Sequence, residues 1–140
     1  MKSKKTLTII ITIIAAVIGS WIGQELLFQK PSFDEQLMAI ASELNKSCPI
    51  MVDSETRLDN SIGGPDKSFT YNYTLINYSK EEIDIDYFLS TLRPSILNNV
   101  KTNPDLATFR DKKIEMKYSY KDKNGVFITK IIIKPEEYLN

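Results

Sequence analysis

The chain has 140 residues, about one domain's worth, and its 18 Lys and Arg balance its 18 Asp and Glu. It contains no histidine and a single cysteine, Cys48. Those counts exclude a Cys/His zinc site, a Ser-His-Asp or Cys-His couple, and any disulfide within the chain.

The apolar residues are unevenly spread. Thr6 to Gln24 is a run of 19 residues without a charge, apolar on every side rather than along one stripe. Continued to Phe28, a helix over 6–28 matches the ~30 Å hydrocarbon core of a bilayer. Lys2, Lys4 and Lys5 precede it, and Glu25, Asp34 and Glu35 outnumber Lys30 after it. The positive-inside rule then keeps the N-terminus in the cytoplasm. The spacing therefore predicts a single-pass signal-anchor in the inner or cytoplasmic membrane, with residues 30–140 in the periplasm or outside the cell. The competing reading is a cleaved secretory signal, with Gly19, Ser20 or Gly23 before the cut. The run is longer than a usual signal core and no Ala-x-Ala closes it. Ala15, Gly19 and Gly23 recur every four residues and form a small-residue ridge on a helix. That ridge suits packing against a second copy or a membrane-complex partner.

The predicted organisation is a cytoplasmic tip and transmembrane helix over 1–28, a linker over 29–32 and an exported α+β domain over 33–140. The domain carries 14 basic and 17 acidic residues, a net charge of −3. That balance argues against nucleic acid as a partner and supplies no polybasic patch for anionic lipid. Phe33, Leu37, Ile40, Ala41 and Leu44 fall at helical spacing, and Ser32 with Glu35 reads as a capping box, so a helix is expected over 33–46. A polar strand follows over Ile50–Leu58, then a loop from Asn60 to Asp66. Phe69, Tyr71, Tyr73 and Leu75 alternate with mostly polar residues, as one face of a strand does. A second helix is expected over 83–101, kinked or split at Pro94. Asn103-Pro104 starts a short helix through Arg110. Met116, Tyr118 and Tyr120 alternate with Glu115, Lys117, Ser119 and Lys121. Asp122-Lys123-Asn124-Gly125 is a hairpin turn leading into a last strand, Val126–Lys134, which Pro135 ends. The fold class expected is α+β: a transmembrane helix, then α-β-β-α-β-β, with a four-stranded antiparallel sheet and helices on one face.

With no histidine, chemistry would fall to carboxylates, hydroxyls, lysine or Cys48. Asp53, Glu55, Arg57 and Asp59 form the candidate surface site. On a strand, Asp53, Glu55 and Arg57 would share one face at about 6–7 Å spacing, which suits glycoside hydrolysis or a divalent cation. The alternative is a solvated strand face with an ordinary ion pair. Cys48 has no base beside it, which favours a structural thiol, and an exposed one could bridge two chains. Tyr71, Tyr73, Tyr118 and Tyr120 make either an aromatic platform or the buried face of the sheet. No phosphate-binding glycine loop occurs, and no cofactor is expected. Three Asn-x-Ser/Thr sequons matter only in a eukaryote. The 15 Lys against 3 Arg and the 19 Ile favour an AT-rich bacterial genome.

Leu44-Asn45-Lys46, Pro49, Val52-Asp53, Thr56-Arg57-Leu58-Asp59, Tyr71-x-Tyr73-Thr74-Leu75 and Tyr118-x-Tyr120-x-Asp122 with Gly125 resemble small membrane-anchored exported bacterial proteins of uncharacterised function. The resemblance covers most of residues 40–130. It implies location and a compact domain but no activity. Further cysteines that such proteins carry in their second half are not matched here, so no disulfide is carried over. The function expected is a non-enzymatic accessory or interaction subunit of the bacterial envelope. The alternatives are an envelope glycan hydrolase or cation-binding protein using Asp53, Glu55 and Asp59, and, after cleavage, a secreted effector or toxin-neutralising protein.

Overall fold

The computed structural model describes residues 32–140. Helix α1 runs Phe33–Asn45 and begins where the sequence places its cap. The Ser32 hydroxyl accepts the Glu35 N–H at 3.2 Å, and the Glu35 carboxylate accepts the Ser32 N–H at 2.9 Å. Two of the four unpaired N–H groups of the first turn are satisfied in this way. Leu37, Ile40, Ala41 and Leu44 bury its apolar stripe.

Five strands follow: β1 (Ile50–Met51), β2 (Thr56–Gly63), β3 (Ser68–Leu75), β4 (Glu115–Lys121) and β5 (Phe127–Ile133). They lie side by side in chain order. β1–β2, β2–β3 and β4–β5 pair antiparallel, and β3 and β4 pair parallel at the centre of the sheet. A parallel pair needs a long crossover. Here it is made by a 3₁₀ turn at Lys80–Glu82, helix α2 (Ile85–Thr102), a second 3₁₀ turn at Pro104–Leu106 and helix α3 (Ala107–Asp111). A last short helix, α4 (Pro135–Tyr138), ties down the C-terminus, its Tyr138 hydroxyl donating to the Ile114 carbonyl at 2.8 Å.

One face of the sheet carries the core. Phe69, Tyr71, Tyr73 and Leu75 from β3, Met116, Tyr118 and Tyr120 from β4, and Ile128, Ile131 and Ile133 from β5 are all buried. They pack with the apolar stripe of α1, with Phe88, Leu92, Ile96 and Val100 of α2, and with Leu106 and Phe109. Gly63 brings α1 and β2 into backbone contact. Asn45 of α1 adds a pair of hydrogen bonds to Ser61 of β2, donating to its carbonyl at 2.9 Å and accepting its N–H at 2.7 Å.

Several expectations need correction. The sheet has five strands and is mixed, not four-stranded and antiparallel. The expected strand Ile50–Leu58 is two strands, because the Asp53 carboxylate accepts the N–H groups of Glu55 and Thr56 at 2.7 Å each and turns the chain there. The loop expected at 60–66 is largely strand, with the reversal confined to 64–67. Pro94 does not split α2, which continues through it for 18 residues.

The span expected at 6–28, with the Ala15, Gly19 and Gly23 ridge, lies outside the described residues. Among the described residues no helix is long and apolar enough to cross a membrane. The longest, α2, carries Asp86, Arg93 and Lys101 and only one apolar stripe. The single-pass, signal-anchored placement in the inner membrane therefore finds no support in the fold.

Candidate functional site

The two faces of the sheet differ in kind. The four tyrosines at alternate positions of β3 and β4 all turn toward the helices. Tyr71 stacks on Tyr118 at 5.2 Å between ring centroids and Tyr73 on Tyr120 at 5.0 Å, while Phe88 of α2 meets Tyr120 edge-on at 5.4 Å. The platform reading of these rings thus gives way to the buried one. Burial pushes all four phenols above their ordinary value, with neighbouring tyrosines adding to the shift at Tyr71, Tyr73 and Tyr120, so they stay protonated.

The hydroxyls of Tyr71 and Tyr73 are buried without a hydrogen-bond partner among the described residues. An unpaired buried hydroxyl costs free energy that phenylalanine does not incur. Tyr71→Phe and Tyr73→Phe are each expected to leave stability unchanged or raise it by about 1 kcal/mol. Urea unfolding measures this, and a clear loss of stability in either variant would refute it.

The predicted acidic site is dispersed. The Asp53 carboxylate serves the turn between β1 and β2, and its second oxygen is buried. Glu55 accepts from the Asn77 side chain at 2.6 Å, across the β2–β3 end. Arg57 and Asp59 do meet, at 2.6 Å, and Asp59 also takes the Thr74 hydroxyl and lies 3.6 Å from the Lys121 ammonium. Strand alternation and the Arg57–Thr74 pairing put Arg57, Asp59 and Thr74 on one side of the sheet, and the register shift between Leu58 and Asn60 turns Asn60 to that side as well. Among the described residues no three acidic or thiol groups converge as a metal would need. Cys48 is half-buried against the core, and burial, with the Asp59 charge second, pushes its thiol above the ordinary value. That disfavours the thiolate a nucleophile requires.

Asp122 has a larger structural part than the sequence suggests. It is fully buried at the start of the β4–β5 turn, where its carboxylate accepts the N–H groups of Lys80, Asn124 and Val126 at 2.8 Å each. It thereby joins the last hairpin to the crossover. Burial opposes its charge, but those three N–H donors and the Lys123 ammonium outweigh burial and hold the carboxyl below its ordinary value. A lowered native value means that the stabilisation is complete above the ordinary Asp range, near 4, and is lost as pH falls below it. Melting temperature measured from neutral to acidic pH is expected to fall more steeply for the native protein than for Asp122→Asn. Parallel curves would contradict this.

The sheet face turned away from the helices has no covering element among the described residues. Its centre is polar, with Asn60 bonded to Asn72 at 2.7 Å, and Thr70 and Ser119 beside them. Toward β5 the strand register sets Lys117 opposite Ile132, Ser119 opposite Lys130 and Lys121 opposite Phe127. Phe127 and Ile132 are 56% and 37% exposed. The charged strand residues of this face are Arg57, Lys117, Lys121 and Lys130 against Asp59 and Glu115. The face is thus net positive on a domain that is net negative. The signal lay in the sequence, as lysines at the outward positions of two consecutive strands, but only the register shows that they share a patch with Phe127 and Ile132.

The fold is found in three solved structures. A candidate secreted protein of Pseudomonas aeruginosa is similar with a TM-score of 0.63 at 12% identity, over 84% of this chain and 96% of that one. The type II secretion system pilotin AspS of Vibrio cholerae matches with a TM-score of 0.56 at 12% identity, over 74% and 90% of the two chains. The pilotin EpsS of the Vibrio vulnificus type 2 secretion system matches with a TM-score of 0.50 at 13% identity, over 74% and 93%. No curated protein matches. The model of a domain of unknown function, DUF8479, matches residues 32–128, from the cap of α1 into β5, and the chain belongs to that family.

Proposed function

We propose that the protein is an exported, non-enzymatic accessory domain of a bacterial envelope or secretion assembly, acting by holding a partner rather than by chemistry. The observation that carries this reading is the fold held in common with two secretion-system pilotins and a candidate secreted protein, over nine-tenths or more of each. The disposition of the reactive side chains agrees with it. Asp53 is consumed by a turn, Glu55 by Asn77 and Asp59 by Arg57 and Thr74. The hydrolase and cation-binding alternatives, which needed these carboxylates together, have no favouring geometry.

The test uses the full-length protein, epitope-tagged in its host and extracted in mild detergent. On a native gel it should migrate in an assembly much larger than its own 16.0 kDa, with an envelope or secretion component identified by mass spectrometry. Migration as a lone chain under all extraction conditions would overturn the reading.

A further inference from the structure

We propose that the outward β4–β5 face, which no element among the described residues covers, docks an acidic, amphipathic segment of the partner protein. The inference rests on the accessory reading and specifies its surface. Phe127 and Ile132 stand at the two ends of the patch, with Lys121, Lys130 and Lys117 around and between them. Such an arrangement of separated apolar anchors within a cationic field fits a helix or extended segment whose apolar residues alternate with Glu and Asp. The charge contrast sets this face apart from the domain average: the outward residues of β4 and β5 carry three cations and one anion, whereas residues 33–140 as a whole carry 14 and 17. Complementary potential steers the encounter and rejects basic partners.

The geometry also selects the face over the neighbouring strand edge. Arg93 of α2 donates to the outward-facing Ile132 carbonyl at 3.2 Å and pairs with Glu137 of α4 at 2.6 Å. The C-terminal half of the β5 edge is therefore closed to an added strand. A membrane surface is the poorer occupant. Lipid recognition relies on clusters of about 4–8 cations without interspersed acids, whereas Lys117 lies 3.7 Å from Glu115 and Lys121 lies 3.6 Å from Asp59.

Three proteins are compared in full length: the native chain, the triple reversal Lys117→Glu/Lys121→Glu/Lys130→Glu, and a control reversal of the exposed Lys101→Glu and Lys112→Glu. The probes are a synthetic helix of Glu and Leu, its Lys-for-Glu counterpart, and vesicles of phosphatidylglycerol. The acidic helix should bind the native chain and the control, weaken with salt, and lose roughly tenfold in affinity for the triple reversal. Phe127→Ser should weaken it as well, with melting temperature confirming that each variant is folded. In the host, the triple reversal should leave the native-gel assembly while the control remains in it. Equal binding of both helices, or capture by vesicles in preference to the acidic helix, would overturn the proposal. An assembly that survives the triple reversal would refute this face and leave the accessory reading standing. A native chain that forms no assembly at all would remove both.

Discussion

Gly63→Ala is expected to destabilise the domain by about 2–4 kcal/mol, although it adds one methyl group and asks for no unusual backbone angle. A Cβ at this position would lie 2.1 Å from the Leu37 carbonyl oxygen, 2.2 Å from its carbon and 2.6 Å from the Met38 nitrogen. These are backbone atoms inside a helix, so no side-chain rotation relieves the clash. Helix α1 must lift away from β2. Lifting it strains the double hydrogen bond between Asn45 and Ser61 and loosens Leu37, Ile40, Ala41 and Leu44 over the sheet. A second tie lies at the other end of α1, where Asp34 accepts the Lys67 N–H at 3.3 Å and the Lys67 ammonium sits 5.7 Å over the Phe33 ring. Lys67 takes a left-handed φ of 54° in that turn, so the turn itself has little freedom to follow a displaced helix. Urea unfolding of native and variant chains measures the effect. An unchanged midpoint would mean that the helix and strand are not in contact here.

Phe69→Ala should cost about 3–5 kcal/mol, the range for removing a buried aromatic ring. Phe69 is fully buried and tilted against two other rings, Tyr71 at 5.0 Å and Phe109 at 5.1 Å. Phe109 belongs to α3, the end of the crossover, so this contact joins the first hairpin to the segment that leads into β4. Against a total stability of about 5–15 kcal/mol for a domain, the loss is a large fraction. Phe69→Leu should be milder, since it retains most of the apolar volume. Near-ultraviolet circular dichroism and urea unfolding together separate a loosened aromatic layer from global unfolding. A variant with native stability would refute the close packing described for this site.

The elements that sequence reasoning placed well are those with local causes. Ser32 and Glu35 mark the start of α1 through a reciprocal cap that needs only four residues. Asp122 to Gly125 marks the last turn, where Gly125 adopts a φ of 81°. The alternation of Phe69, Tyr71, Tyr73 and Leu75 gives the strand, whereas the burial of its aromatic face, open between core and platform in the sequence, follows from the helices packed on it. What escaped was set by partners distant in the chain. The choice between antiparallel and parallel pairing of β3 with β4 depends on where α2 and α3 lead the chain, which periodicity does not contain. Ile50–Met51 is too short to declare itself, and the Asp53 turn beside it resembles strand polarity in sequence. Pro94 reads as a break, yet the buried stripe of Phe88, Leu92, Ile96 and Val100 carries the helix past it. The acidic site failed for a related reason: Asp53 and Glu55 lie before β2, so a strand's spacing does not apply to them.

The parallel seam between β3 and β4 also governs the order in which the domain can close. A chain released from the ribosome as far as residue 112 holds its first hairpin and the crossover, but β3 still presents an unpaired edge and half an aromatic layer. Closure waits for residues 115–140, which bring both the inner partner of β3 and the outer strand that protects it. During that interval the chain resembles an aggregation-prone sheet more than a nearly finished domain. A nascent chain stalled before β4 should therefore recruit holding chaperones and yield readily to protease, and resist both once Tyr138 has reached the Ile114 carbonyl.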